Sequence, residues 1–320
     1  MNAGASGVVL LGPADARGTL AAAVADLEAS GRVPPGAEIA LVTAGWRERE
    51  AEPGLVELPA GRSVVDLRLY ERSLRIAAAD PELARGHREV RERLKLLRRA
   101  YNVRLAGRID AHLRLLELRG DESVLGAERE EALAAIRRLD ARQLERVAEM
   151  HAEFEWRWAP AERDVVRAQR HEVMRLLEGK GIVVIAGGHV ATLLDRLRKF
   201  GGPELFAGRA VIGRSAGAMV LAERVVLFHD RPPWGGRNPE VFDAGLGLAE
   251  GLVALPHASV RLHLDDRVRA GRLAARFAPA TCVLLDPGRR IDLVHGRWHG
   301  DGRVQRLDRA GRRVRFRPAA

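Results

Sequence analysis

Apolar residues fall into two patterns along this chain, and each predicts a different kind of element. Short unbroken runs end in small or turn-forming residues. Val8-Val9-Leu10-Leu11 stops at Gly12-Pro13, Ile39-Ala40-Leu41-Val42 runs to Thr43-Ala44-Gly45, and Ile182-Val183-Val184-Ile185-Ala186 ends at Gly187-Gly188. Such runs read as strands buried on both faces, with helical segments between them, which is a β-α-β opening followed by a return of the same pattern. Further strands are expected at 209–214 and 251–256, with helices at about 191–200 and 265–277. From Thr281 onward, apolar and polar residues alternate around Asp286-Pro287-Gly288, Gly300-Asp301-Gly302 and Ala310-Gly311, predicting a tail of strands and hairpins.

The second pattern occupies about 63–178. Leu94, Leu97, Tyr101, Leu105, Ile109, Leu113 and Leu116 recur every three or four residues, and a second set runs Leu133, Ile136, Leu139, Leu144, Val147. That spacing lays one apolar stripe along each of two long helices. Breaks at Asp80-Pro81, Gly120-Asp121 and Trp158-Ala159-Pro160 predict an antiparallel hairpin or bundle. The expected division is an α/β domain from 1–62 and 179–320, with 63–178 as an inserted helical region that covers the site or builds a homo-oligomer interface. Phe154, Trp156 and Trp158 are expected to serve helix packing, with a partner surface as the alternative.

Composition narrows the classes. The chain has 320 residues, 47% of them hydrophobic and 30% charged, enough to bury a sizeable core. No apolar run is long enough for a membrane span, and the N-terminus lacks a basic segment of the signal-peptide kind, so a cytoplasmic protein is expected. The single cysteine, Cys282, has no partner for a disulfide or metal site and lies in an apolar run. The formal charge of +10 comes almost wholly from arginine, since Lys95, Lys180 and Lys199 are the only lysines. No basic-aromatic motif accompanies it, so a nucleic-acid partner is not expected. His295 and His299 flank Trp298 without metal-site spacing, and neither a metal nor another cofactor is expected.

The candidate chemistry centres on Gly213-Arg214-Ser215-Ala216-Gly217. A strand precedes it and an Ala-rich helix start follows, as in a nucleophile elbow. Small neighbours allow the tight turn that lifts the Ser215 hydroxyl above the sheet edge, and the Ala216 N–H becomes a candidate oxyanion donor. A serine hydroxyl needs a base, usually oriented by an acid. His257 follows an apolar strand, and Asp230 follows the elbow helix. Trp234, in the loop after Asp230, is a candidate pocket wall or loop anchor.

These residues resemble the S51 serine peptidases, the family of aspartyl dipeptidases (peptidase E) and cyanophycinases. Gly213-Arg214-Ser215-Ala216-Gly217-Ala218 matches that family's G-x-S-A-G-A, and Ile185-Ala186-Gly187-Gly188-His189 is similar to its strand ending in G-G-N. Phe242-Asp243-Ala244-Gly245-Leu246-Gly247-Leu248, then a strand and Pro256-His257, completes the likeness, which covers 180–300 well and 8–58 weakly. The resemblance implies a class I glutamine-amidotransferase-like fold: α/β, three-layer, flavodoxin-like, with a mostly parallel sheet. It implies Ser215 as nucleophile, His257 as general base, and Gly187 and Gly188 on the oxyanion side. The substrate it implies is a small peptide or peptide-like molecule, with an acidic group held by arginine as one form.

The departures are specific. His189 stands where the family has asparagine, Val190 and Ala191 replace its threonine and aromatic residue, and the helical block is longer than usual. The late acid falls near Leu285-Asp286-Pro287, where Asp286 is a candidate but the usual glutamate position holds Pro287. Counting forward from Gly245 places the base at His257; counting backward from Arg267-x-Arg269-x-x-Arg272-Leu273 places it at His263. His189 is a candidate substrate contact. The alternative function is a non-catalytic binding or regulatory protein whose helical block engages a partner. An α/β-hydrolase esterase shares the order Ser215, Asp230, His257 but needs an H-G-G-G motif that is missing, and a cysteine-dependent amidotransferase needs a thiolate where Ser215 stands.

Overall fold

The computed structural model describes residues 5–16, 18–50, 52, 54, 56–230 and 238–317. The chain opens with β1 (Gly7–Leu11), α1 (Thr19–Ala29), β2 (Glu38–Val42) and β3 (Val64–Asp66), then runs through α2 (Leu69–Ala79), α3 (Pro81–Glu117), α4 (Glu122–Trp158) and α5 (Asp164–Leu177). It returns to the sheet with β4 (Lys180–Ile185), α6 (Val190–Lys199), β5 (Ala210–Arg214) and α7 (Ala216–Leu221). A hairpin follows, β6 (Arg224–Leu227) with β7 (Glu240–Ala244), then β8 (Leu252–Pro256), α8 (Ala258–Arg261), α9 (Arg267–Phe277) and β9 (Thr281–Leu285). The last strands are β10 (Arg290–Val294), β11 (Arg297–Gly300), β12 (Gln305–Leu307) and β13 (Arg313–Arg315).

The central sheet has seven strands in the order β11-β10-β1-β5-β4-β2-β3. The five from β1 to β3 pair in parallel, and β10 and β11 add an antiparallel edge. Side chains alternate across it. Val8 and Leu10 join one apolar core and Val9 and Leu11 the other, as do Val183 and Ile185 against Ile182 and Val184. Helix α1 covers the second face with Leu20, Ala23, Val24 and Leu27, while α5, α6 and α7 cover the first. This is a mixed α/β protein with a mostly parallel sheet between helical layers. A second sheet, β13-β12-β9-β8, carries β8 and β9 in parallel.

The 63–178 stretch differs from the expectation at its start and near the hairpin tip. It opens with β3, whose Val64, Val65 and Asp66 pair in register with Ile39, Ala40 and Leu41, so these residues belong to the sheet. A three-residue edge strand has too little periodicity to stand out beside long helices. Helices α3 and α4 pack as an antiparallel pair, each 37 residues long and so roughly 55 Å at 1.5 Å per residue. Asp80 caps α3 by accepting from the Leu83 N–H at 2.8 Å, and Asp121 caps α4 through Ser123. Tyr101, Leu105, Ile109, Ile136 and Leu139 share the core of the first sheet face. Leu116, near the hairpin tip, is exposed, contrary to the stripe expected from spacing.

One buried network binds the hairpin to the second half of the chain. The Arg276 guanidinium from α9 donates to Asp140 of α4 at 2.6 and 2.7 Å, to the Tyr101 hydroxyl at 2.9 Å and to the Pro239 carbonyl at 2.6 Å. Tyr101 of α3 donates to Asp140 at 2.8 Å and accepts from the Val241 N–H at 3.1 Å. Burial pushes the Tyr101 phenol well above its usual range. Burial also opposes charge on Arg276, but Asp140 and Tyr101 outweigh it and hold the guanidinium protonated. Removing one member of such a pair strands the other. Arg276→Met should therefore cost about 3–5 kcal/mol in urea unfolding, and Arg276→Met/Asp140→Leu should recover much of it. A single variant as stable as the parent would show that the network does not hold the hairpin.

Candidate active site

The sequence folds into a tight seam where several strand ends meet. Strand β5 ends at Arg214, α7 begins at Ala216, and Ser215 makes the turn between them with φ 54° and ψ −113°. A non-glycine residue rarely holds that conformation, and its surroundings must enforce it. The Ser215 N–H donates to the Leu11 carbonyl at the end of β1, at 3.0 Å. Glycines on both sides make room: a Cβ on Gly213 would overlap the Gly217 backbone, and one on Gly217 would overlap the Ile185 carbonyl. Among the described residues, no hydrogen bond occupies the Ser215 hydroxyl.

Gly187 and Gly188 lie beside the turn. A Cβ built on Gly187 would sit 3.3 Å from Ser215 Cβ and 3.6 Å from its Oγ. Gly188, at φ 101°, packs against Gly45 with no space for a side chain on either residue. The His189 N–H donates to the Gly45 carbonyl at 2.6 Å, fixing this loop to the segment after β2. Among the described residues, the N–H groups of Gly187, Gly188 and Ala216 meet no backbone acceptor. First-turn N–H groups of a helix lack an intrahelical partner, which leaves Ala216 able to donate to an added oxyanion.

His189 caps α6. Its Nδ1 accepts from the Thr192 N–H at 3.2 Å, so that nitrogen carries no proton in this geometry. Desolvation, with Arg47 and Arg98 adding positive potential, holds its pKa below the usual imidazole range. Arg47 is a residue that spacing could not reveal. It has φ 58° and ψ −123°, close to the Ser215 conformation, two positions after Gly45. Only the rarity of two strained non-glycine residues around one glycine contact marks it.

His257 ends β8 in the left-handed region, at φ 57° and ψ 30°. Its N–H donates to the Leu285 carbonyl at 3.2 Å, and Gly12, which follows Leu11, packs directly on the Leu285-Asp286 backbone. A continuous series of backbone contacts thus runs from Ser215 through Leu11, Gly12 and Leu285 to His257. Burial lowers the His257 pKa, Arg261 lowers it further, and Asp286 opposes them. The Asp286 carboxylate accepts from the Ser259 N–H at 2.9 Å and its hydroxyl at 2.5 Å, acting first on the start of α8.

The structure commits Asp230 elsewhere. Its buried carboxylate is paired to Arg269 at 2.5 and 2.9 Å and accepts from the His263 N–H at 3.2 Å. A carboxylate held by a guanidinium on α9 braces the segment after α8. His263 is exposed, beyond α8, and lines a cleft with Asp230, Arg269, Arg272 and Arg276. Ser215 is outside that cleft. Arg269 is paired to Asp230 and Arg276 to Asp140, whereas Arg272, only 8% exposed, has a buried Nη1 with no acceptor among the described residues. Burial lowers its pKa, and Arg269 and Arg276 add to the effect.

Trp234 lies outside the described residues. Phe154 packs against His87 with ring centroids 4.4 Å apart and planes tilted by 39°, and Trp158 fills the space over Gly86, so both pack helices. Trp156 is 86% exposed. Cys282 is buried, and burial raises its thiol pKa to about 12. Among the described residues, no group of His, Cys, Asp and Glu could hold a metal ion, and no helix is long and apolar enough to cross a membrane.

No family model matches the chain, and no curated protein is similar to it. Among solved structures, the crystal structure of a peptidase from an acI-B1 Actinobacterium matches with TM-score 0.41 at 15% identity, covering 99% of this chain and 99% of that one. A likeness at that level leaves the functional reading to the geometry.

The seam makes its own prediction. Gly45→Ala should displace the Gly187-Gly188 loop and cost about 2 kcal/mol or more, because the added methyl meets backbone that cannot rotate away. Gly54→Ala is a control at a glycine with open space around it but a positive φ of 81°. Its cost should come from backbone strain alone, about 1 kcal/mol. Equal losses in thermal unfolding would contradict the close approach at Gly45.

Proposed function

We propose that the chain is a serine hydrolase of the S51 type, on a class I glutamine-amidotransferase-like fold, cleaving an amide bond in a small peptide or peptide-like substrate. The observation that carries this reading is the strained conformation of Ser215 at the end of a central parallel strand, with its hydroxyl unoccupied among the described residues and two glycines beside it. Strain of about 1–3 kcal/mol at one residue persists where the surrounding fold enforces it, and it gathers at reacting positions.

In the proposed reaction, His257 takes the Ser215 proton as the hydroxyl attacks the amide carbonyl. The tetrahedral oxyanion accepts hydrogen bonds from the Ala216 N–H and the Gly187-Gly188 loop, and the imidazolium then protonates the leaving amine. Water repeats the sequence on the acyl-enzyme. Asp286 acts on His257 through its field, since its oxygens are engaged by Ser259. The cleft around Arg272 begins one short helix from His257, and the buried Arg272 Nη1, without an acceptor among the described residues, favours a substrate carrying a carboxylate.

Asp286's engagement with Ser259, together with Pro287 at the family's acid position, favours a second reading: a binding protein that keeps the fold without turnover. Kinetics separate the two. With a panel of dipeptides and aminoacyl anilides, Ser215→Ala and His257→Gln should each lower kcat/KM by about 10³-fold or more, and together by no more than either alone. His263→Gln should leave kcat within a few-fold. No turnover by folded protein across the panel, or a rate insensitive to Ser215→Ala, would overturn the hydrolase reading.

The pH profile has a definite sign. A base must be neutral, and the His257 pKa is depressed, so activity should be present at and above the ordinary imidazole value of about 6.5. It should be lost only as pH falls through the lower folded-state value. An acid limb centred above that ordinary value would contradict a desolvated His257 as the base.

A further inference from the structure

Helix α3 carries an apolar face that its own chain leaves open. Leu96 is 66% exposed and Val103 76% exposed, and Ala100 and Gly107 lie on the same side at helical spacing. Glu89 and Arg114 extend that line at its two ends. Measured outward from the point midway between Ala100 and Val103, the positions are symmetric: Ala100 mirrors Val103, Leu96 mirrors Gly107 and Glu89 mirrors Arg114.

We propose that this face is a homodimer interface, occupied by a second copy of the chain with its α3 antiparallel about a two-fold axis at that midpoint. The pairing then sets each bulky side chain against a small one, Leu96 on Gly107 and Val103 on Ala100 of the second copy, twice over by symmetry. A Cβ added at Gly107 meets nothing within 4 Å in the single chain, so the recess for Leu96 is open. The ends are complementary in charge, Glu89 against Arg114. A parallel copy would stack Leu96 on Leu96, Glu89 on Glu89 and Arg114 on Arg114.

Within one chain, Glu89 is 3.9 Å from Arg85, and Arg114 pairs with Asp110 at 3.0 Å. Both are exposed pairs of little energetic worth, free to exchange partners on association. Size decides what else takes part. From Glu89 to Arg114 the helix spans roughly 38 Å, and at about 10 Å wide one helix offers near 380 Å², or about 760 Å² for two. A stable interface needs about 1,200–2,000 Å² in total. In the proposed dimer α4 supplies the remainder: Trp156, 86% exposed, stands one turn from Glu153, which bridges to Arg93 of α3 at 2.7 Å. The dimer therefore brings two hairpins face to face, with Trp156 at the border.

Sedimentation velocity on the intact chain at about 1–50 µM tests this, a span chosen because interfaces of standard size reach from µM to pM affinity. The parent should sediment at twice the 35.1 kDa of one chain. Val103→Glu should give a monomer with unchanged circular dichroism, since the site is exposed. Glu89→Arg should weaken association at least tenfold, and Glu89→Arg/Arg114→Glu should restore it. A monomeric parent, or a dimer indifferent to Val103→Glu, would overturn the interface. A double charge reversal that fails to restore association would overturn the antiparallel pairing.

Discussion

Everything at the candidate site depends on backbone approaching backbone where a Cβ would not fit. Gly213 and Gly217 let β5 turn into α7 against β4, Gly45 and Gly188 let the segments after β2 and β4 touch, and Gly12 lets the end of β1 meet the end of β9. Strand ends that close leave Ser215 one conformation, with a positive φ that costs free energy. The rest of the fold holds it there. Two apolar cores grip the sheet from both faces, so the turn cannot relax without separating strands that are buried along their whole length.

The helical hairpin is part of this support. Its inner stripes complete the core on one sheet face, and the Tyr101-Asp140-Arg276 network fixes α3, α4, β7 and α9 as one body. Neighbouring ion pairs extend the contact: Arg98 and Asn102 of α3 reach the buried Glu240, and Arg198 of α6 grips Asp243 beside His151. All three clusters converge on β7 or the residue before it. The candidate site is thus backed by the hairpin through its polar network as well as by apolar packing.

How much of this was legible depended on the distance in sequence over which each feature is written. Ser215's turn is local: an apolar run, small residues and a helix start stand side by side, so the strand–turn–helix element could be read directly. The G-G-H loop was equally visible, and so were the long amphipathic helices. Strand β3 was not, because three edge residues carry almost no periodicity. The role of Asp230 could not be read either. Its partner Arg269 lies 39 residues away on another element, and an aspartate in a turn looks the same whether it orients a base or braces a helix. Neither forward nor backward counting could place His257 and His263 in space, because the parallel β8–β9 pairing that sets the His257 backbone on Leu285 is written in no short stretch of sequence. Arg276 and Asp140, 136 residues apart, gave no sign of their pairing for the same reason.

In the proposed reaction this seam makes Ser215 a nucleophile. The most direct measurement is reaction of the folded chain with a fluorophosphonate, followed by peptide mass spectrometry to locate the adduct. One stoichiometric adduct is expected, on Ser215, formed at a rate that falls sharply in His257→Gln. A folded chain that stays unlabelled, or an adduct on a different serine, would contradict it.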